Sequence, residues 1–191
     1  MRIDDSKKIA KTLVSFANTD GGRLLIGVKD NGSVFGCSVE EERHMIEAAS
    51  EMYCDPPVSF HIQPWKVDFM NVLEVVVEPS DIRPHFAINE NDKRRAYIRQ
   101  DDKNIVANGV QLKVWEHDRD RVYGNFEYDE EKEKLFERFK TRETLGFRAV
   151  SRITKLNPKQ TEELLAQLIK WDVVEMHVDQ GRYSFKLRSA S

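Results

Sequence analysis

The chain has little cysteine, little histidine, no long apolar run and no excess of charge of one sign. Of its 191 residues only Cys37 and Cys54 are cysteines, too few and too differently placed for a disulfide framework or a thiolate zinc site. Both are read as ordinary buried thiols. No apolar stretch approaches the roughly 18 to 20 residues that a membrane-crossing helix needs. The amino terminus, with Arg2, Asp4, Asp5, Lys7 and Lys8, is too charged for a secretory leader. A cytoplasmic protein without a membrane partner is therefore expected. The five histidines, His44, His61, His85, His117 and His177, show no paired spacing, so neither a metal site nor a cofactor is expected. A net charge of -3 argues against a chain that is basic over its whole surface.

What is present is the balance of a folded globular protein, 40% hydrophobic and 33% charged. A chain of this length supports one large domain or two small ones, and the pattern favours two. In the first region, Ile9, Leu13, Val14, Phe16 and Ala17 recur at helical spacing, predicting a helix over 6–19. A strand is predicted over 23–29, a return at 34–36 after the Asp30-Asn31-Gly32 turn, and a helix over 39–53. Antiparallel strands follow at 58–67 and 72–77, read as a well-buried sheet, then a hairpin of 85–88 with 95–99, and a helix over 105–115. This part is α+β. A linker is placed at 119–128, where a polar and aromatic mixture around Gly124, Asn125 and Tyr128 has no period.

Residues 15 to 32, SFANTDGGRLLIGVKDNG, combine an apolar helix end, a double glycine that can take positive φ, a short strand and a tight turn. This segment resembles the signature of the Schlafen/AlbA-like domain, with Phe16, Asn18, Gly21, Gly22, Gly27, Asp30 and Gly32 as the motif residues. Glu78-Pro79-Ser80, Arg83-Pro84-His85-Phe86 and Arg95-Ala96-Tyr97-Ile98-Arg99 are similar to that family's later strands. The resemblance covers residues 1–118 and implies a nucleic-acid-binding domain of bacterial regulators. Some relatives are metal-dependent ribonucleases whose acids come partly from a Glu-x-Lys strand before the first helix. Here only Met1 to Asp5 precede that helix, so their activity does not carry over residue by residue. The family's divergent-AAA description implies ATP, but no Gly-Lys-Ser/Thr follows Gly21-Gly22, and those glycines are read as chain reversal.

Residues 129–191 follow the order of a winged helix-turn-helix: helices near 129–140, 146–154 and 158–171, then strands at 173–178 and 183–187. Asn157 is a good cap with Pro158 at the first helical position. From Lys140 to Gln160 six basic residues face one acid, Glu143. In a helix-turn-helix the second helix enters the major groove by its amino-terminal end. That assigns Arg148, Arg152, Lys155 and Arg182 to phosphates, Asn157, Lys159 and Gln160 to bases, and Lys186 and Arg188 to the wing. Arg95, Tyr97 and Arg99 alternate in a way that suits stacking on single strands, or equally a half-exposed sheet. Asp30, Glu74, Glu78 and Asp81 are carboxylates near strand ends, where a metal nuclease would want them, although solvated turn acids are commoner.

The function these observations favour is a non-enzymatic transcriptional regulator binding duplex DNA. A homodimer is compatible, since palindromic sites suit two-fold proteins. Two other classes stay open: a metal-dependent ribonuclease, and an interaction module with Trp171 and Phe185 in an interface.

Overall fold

The computed structural model describes residues 3–89, 91–120, 126–142 and 144–188. The protein is α+β and divides into two units, one running to Val106 and the other beginning at Ala107. Of the expected linker, residues 121–125 lie outside the described residues, as does Glu143.

The first unit is organised by helix α1, Ile3–Ala17. Ala10, Leu13, Val14 and Ala17, spaced to share one face, are at most 1% exposed. The helix ends because Gly21 takes φ +78 and donates its N–H to the Phe16 carbonyl at 3.0 Å. Strand β1, Gly22–Ile26, then pairs antiparallel with β4, Met70–Val77, which pairs on its other side with β3, His61–Val67. Helix α2, Val39–Tyr53, lies before this hairpin. Leu24 and Ile26 from β1, and Leu73, Val75 and Val77 from β4, join α1 and α2 in one core.

Several expectations change. The turn at 30–32 forms, with Gly32 N–H on the Lys29 carbonyl and Asn31 Oδ1 accepting from Ser33 N–H, but the return strand shrinks to one bridge, Val28 to Val34. The backbone bends on both sides of that bridge, at Gly27 and Gly36 with φ +93 and +79. The sheet is buried on one side only, so β3 is largely exposed and Trp65 keeps 52% of its surface accessible. A two-residue turn at Asp68 and Phe69, both at positive φ, closes the β3–β4 hairpin. Strand β5, Phe86–Ile88, pairs with β2, Cys54–Asp55, and with β6, Arg94–Arg95. The chain then leaves that sheet: β7, Tyr97–Gln100, forms a separate hairpin with β8, Lys103–Val106. Ile105 and Val106 are thus strand, not helix, and α3, Gly109–Asp120, starts later, where Asn108 Oδ1 accepts the Gln111 N–H.

In the second unit the order is α3, α4 (Glu130–Thr141), β9 (Leu145–Gly146), α5 (Phe147–Thr154), α6 (Pro158–Lys170), β10 (Val174–Asp179) and β11 (Arg182–Leu187). The three strands form one antiparallel sheet, β10-β11-β9. Leu135, Phe139, Val150, Leu165 and Phe185 make its core, and Val110 of α3 is buried among them. That packing groups α3 with the second unit, although the sequence pattern places it before the linker.

Gly22 has ordinary φ, yet a Cβ there would lie 2.5 Å from the Phe16 ring, which is 6% exposed. Gly32, at φ +83, has open space around it. Gly22→Ala is therefore expected to destabilise by about 2–3 kcal/mol through overpacking, and Gly32→Ala by about 1–2 kcal/mol through backbone conformation alone. Urea unfolding of the two variants measures the difference; equal losses would contradict the packing role of Gly22.

Candidate nucleic-acid interface

The positive charge of the second unit is distributed by ion pairing. On α4, Lys132, Lys134 and Lys140 bind Asp129, Glu130 and Glu137. Lys170 binds Asp118, while Lys186 and Arg188, expected in the wing, are held by Glu175 and Asp172. Lys155, which ends α5 at φ +56, places Nζ 2.9 Å from Glu131, and that bond holds the Glu131 carboxyl below its ordinary value. By contrast Arg148 and Arg152, one helical turn apart on α5, Lys159 in the first turn of α6 and Arg182 at the hairpin tip are exposed. None of these four has a carboxylate within ion-pair distance among the described residues.

Asn157 and Gln160 form a reciprocal cap on α6. Asn157 Oδ1 accepts from Gln160 N–H at 3.0 Å, and Gln160 Oε1 accepts from Asn157 N–H at 3.2 Å. The cap uses both amide oxygens and leaves both side-chain NH₂ groups as donors. Pro158 supplies the preset φ of the first helical position. The sequence pattern does not show that α6 is enclosed beyond this turn: Thr161, Leu164, Leu165, Ala166, Gln167 and Leu168 are all buried. Part of the enclosure comes from α3. His117 Nε2 lies 2.7 Å and Lys113 Nζ 3.8 Å from the Glu163 carboxylate, and the Glu162 carboxylate lies close against Gly109 at the start of α3. Both acids of α6 are thus turned toward α3: Glu162 lies at its amino terminus, where the helix favours negative charge, and Glu163 further along, between Lys113 and His117.

Trp171 packs edge-on against Phe126 at 5.5 Å, and Phe185 is fully buried, so Phe185 cannot belong to an open interface.

In the first unit the motif residues serve the fold. Gly22 makes room for Phe16, Gly21 would bring a Cβ to 2.6 Å from the Val77 carbonyl, and the Gly27 carbonyl accepts from Phe35 and Gly36. Asp30 is an exposed turn residue. Asn18 is 3% exposed, and its amide bonds His85 and Tyr97. Arg95, Tyr97 and Arg99 do not form one face. Arg95 is exposed on β6, whereas Tyr97 is 6% exposed in the core, where its ring has no open face for a base. The Arg99 guanidinium lies 5.2 Å from the Phe16 ring centroid and donates to Asn104 Oδ1 and the Asp101 carbonyl.

The acids near strand ends are not gathered either. Glu74 is bound by Arg23 and by Trp65 Nε1, at 3.1 and 2.9 Å. Among the described residues no group of three or more His, Cys, Asp or Glu side chains could hold a metal ion. Burial pushes the Cys54 thiol up to about 12, which makes it unreactive.

His85 has the partner that sequence could not name. Its Nδ1 lies 2.8 Å from the Pro56 carbonyl, which can only accept, so Nδ1 carries the proton and Nε2 accepts from Ser80 Oγ at 2.7 Å. Burial holds its pKa below the usual 6.5, against the opposing effects of the Pro56 carbonyl and Asp55.

The architecture therefore defines an α+β domain and a second unit in which Arg148, Arg152, Lys159 and Arg182 have no ion-pair partner among the described residues. The family model described as Schlafen, AlbA_2 matches residues 2–108, and the chain belongs to that family. Membership associates it with a nucleic-acid-related role. No curated protein matches the chain. Among solved structures, that of the DIP2311 protein from Corynebacterium diphtheriae is similar to it, at 21% identity and a TM-score of 0.46. The match covers 61% of this chain and 22% of that one, so the chain spans less than a quarter of that relative's length. No helix among the described residues is long and apolar enough to cross a membrane.

Because the folded His85 resists protonation and the unfolded one does not, the unfolded state binds more protons below pH 6.5. Stability is expected to be constant above that value with respect to this group, and to fall as the pH drops below it until the depressed folded pKa is reached. His85→Gln should remove this part of the pH dependence in urea unfolding between about pH 5 and about pH 8; an unchanged profile would show that His85 is not the group responsible.

Proposed function

We propose that the chain is a non-enzymatic regulator that binds duplex DNA through its second unit, built as a winged helix. In support of the fold, α4, β9, α5, α6 and the β10–β11 hairpin follow one another in the order of that motif. The observation that carries the binding reading is that Arg148 and Arg152 on α5, Lys159 in the first turn of α6 and Arg182 at the hairpin tip lack a carboxylate partner among the described residues, as do Arg138 and Arg142 at the end of α4. Most other cations of the unit already have carboxylate partners, so they offer a phosphate less net attraction. Unpaired cations gain most from a polyanion, and the release of counterions from the duplex drives such contacts.

In this reading Arg148, Arg152 and Arg182 hold phosphates, and Lys159 with the free NH₂ groups of Asn157 and Gln160 meets base edges. Lys155 joins only by exchanging Glu131 for a phosphate. With α6 enclosed beyond its first turn, the helix approaches the major groove end-on. Arg95 and Arg99 of the first unit are secondary contacts at most, and Tyr97 makes none while it is buried.

Fluorescence anisotropy with labelled duplex DNA across a salt series tests this. The double variant Arg148→Ala, Arg152→Ala is expected to weaken binding and to lower the slope of log K against log salt by about two units, because each lost phosphate contact removes about 0.9. Lys134→Ala, on the ion-paired helix α4, should leave the slope unchanged. Absence of salt-dependent binding, or equal slopes in all three proteins, would overturn the assignment. Shortening of a structured RNA probe with Mg²⁺ on a denaturing gel would overturn its non-enzymatic part.

A further inference from the structure

A cleft of about 660 Å³ opens in the second unit beside the first turn of α6, within the roughly 300–1,000 Å³ typical of small-molecule sites. Leu156, Leu164 and the ring of Phe126 give it apolar walls. Phe126 is fixed there by edge-on contacts with Trp171 and Phe136, at 5.5 and 6.5 Å.

Gln167 also lines the cleft and is only 8% exposed, yet its carboxamide has no hydrogen-bond partner among the described residues. Its polar atoms are not sealed off from solvent, and the residue forms part of the cleft wall. A buried amide in this state is stabilised by whatever pairs with it from that space. At the mouth stand Lys159, a cation without a carboxylate partner among the described residues, and Gln160, whose Oε1 is used by the cap and whose NH₂ is not.

The nearby acids do little to oppose an anion. Glu163 is held by His117 and Lys113, and Glu162 faces the first turn of α3. Glu127 adds one acid to the lining, and Lys113 and Lys132 add two cations, each engaged with a carboxylate.

We propose that this cleft binds a small organic carboxylate with an apolar body. The body would lie on Leu156, Leu164 and Phe126, the carboxylate would meet Lys159, and a second polar atom would pair with Gln167. The site stands on the cleft alone. Its consequence rests on the nucleic-acid reading: Lys159 and Gln160 belong to both surfaces, so a bound carboxylate withdraws them from DNA.

The test is calorimetric titration of the full chain with phenylacetate and indole-3-acetate, and with the corresponding neutral amides. The acids are expected to saturate one site, with the amides at least about tenfold weaker. Lys159→Ala and Gln167→Leu should each weaken the acids about tenfold. Circular dichroism checks the fold of Gln167→Leu, and Lys159→Ala, at an exposed position, keeps the experiment decisive if that variant unfolds. No saturable binding of either acid, equal binding of acids and amides, or affinity indifferent to the substitutions would overturn the site. A duplex probe in the same solutions reads the consequence separately. Displacement of DNA by the acids is expected, and calorimetric binding without displacement would overturn the coupling while leaving the site.

Discussion

The carboxamide of Asn18 is the constraint on which the first unit depends. Its Nδ2 donates to the His85 and Tyr97 carbonyls at 2.9 and 3.0 Å, and its Oδ1 accepts the His85 N–H at 2.8 Å. One side chain thus pins the end of α1 to the start of β5 and to β7. Only an amide can do this, because donors and an acceptor are needed within one planar group; a carboxylate would face two carbonyl oxygens without a proton to give. Once β5 is fixed, the His85 ring reaches Pro56 and Ser80, and the Ser80 N–H bonds the Ala17 carbonyl. The polar side of α1 and the turn after it continue the tie: Thr19 Oγ1 receives the Arg99 N–H, and Asn104 meets both Ser15 and Thr12. The signature of the family is therefore, in this chain, a device for closing the fold.

Much of that device is legible from residue order. The helix end, the positive-φ glycine and the strand after it follow from chemistry local to residues 9–28, and α2 and the capped α6 are equally local. What stays hidden depends on which partner a segment finds. The motif predicts a turn at Asp30-Asn31-Gly32, and the turn forms; nothing in it says that the return stops at one bridge or that β1 pairs with the distant β4. The alternation of Arg95, Tyr97 and Arg99 describes one strand face correctly only if one strand contains them. Ala96 separates two sheets instead, and Tyr97 goes inward. Similarly, the apolar pair Ile105 and Val106 reads as well for the first turn of a helix as for the end of a strand, whereas the Asn108-Gly109 pair marks the true helix start through its cap.

The candidate interface shows the same division. That α5, the first turn of α6 and the hairpin tip are basic is a property of the sequence. Which cations stay available is a property of the fold, because Lys155, Lys186 and Arg188 acquire acids far from them in the chain or across a strand pair. An exposed pair of this kind is weak, so in the proposed reading a polyanion would take the place of the acid at these two lysines and the arginine with little net gain. Arg148, Arg152, Lys159 and Arg182, like Arg138 and Arg142, have no carboxylate to exchange among the described residues, and in the proposed reading the first four make the contacts.

Helix α3 sets what α6 can do. By burying Val110 in the core and holding Glu163 through His117 and Lys113, it occupies the flank that would otherwise lie open along the helix. The end that remains is stiff: the reciprocal Asn157–Gln160 cap and Pro158 fix the backbone of the first turn, and Lys155 just before it is held in a left-handed conformation. A rigid helix end with few movable parts loses little conformational entropy when it binds. The same geometry forces economy on the surface. In the proposed scheme, a ligand of the adjacent cleft and a duplex share Lys159 and Gln160, both at the first turn of α6. On that scheme competition between the two follows from the shared residues and needs no change of conformation.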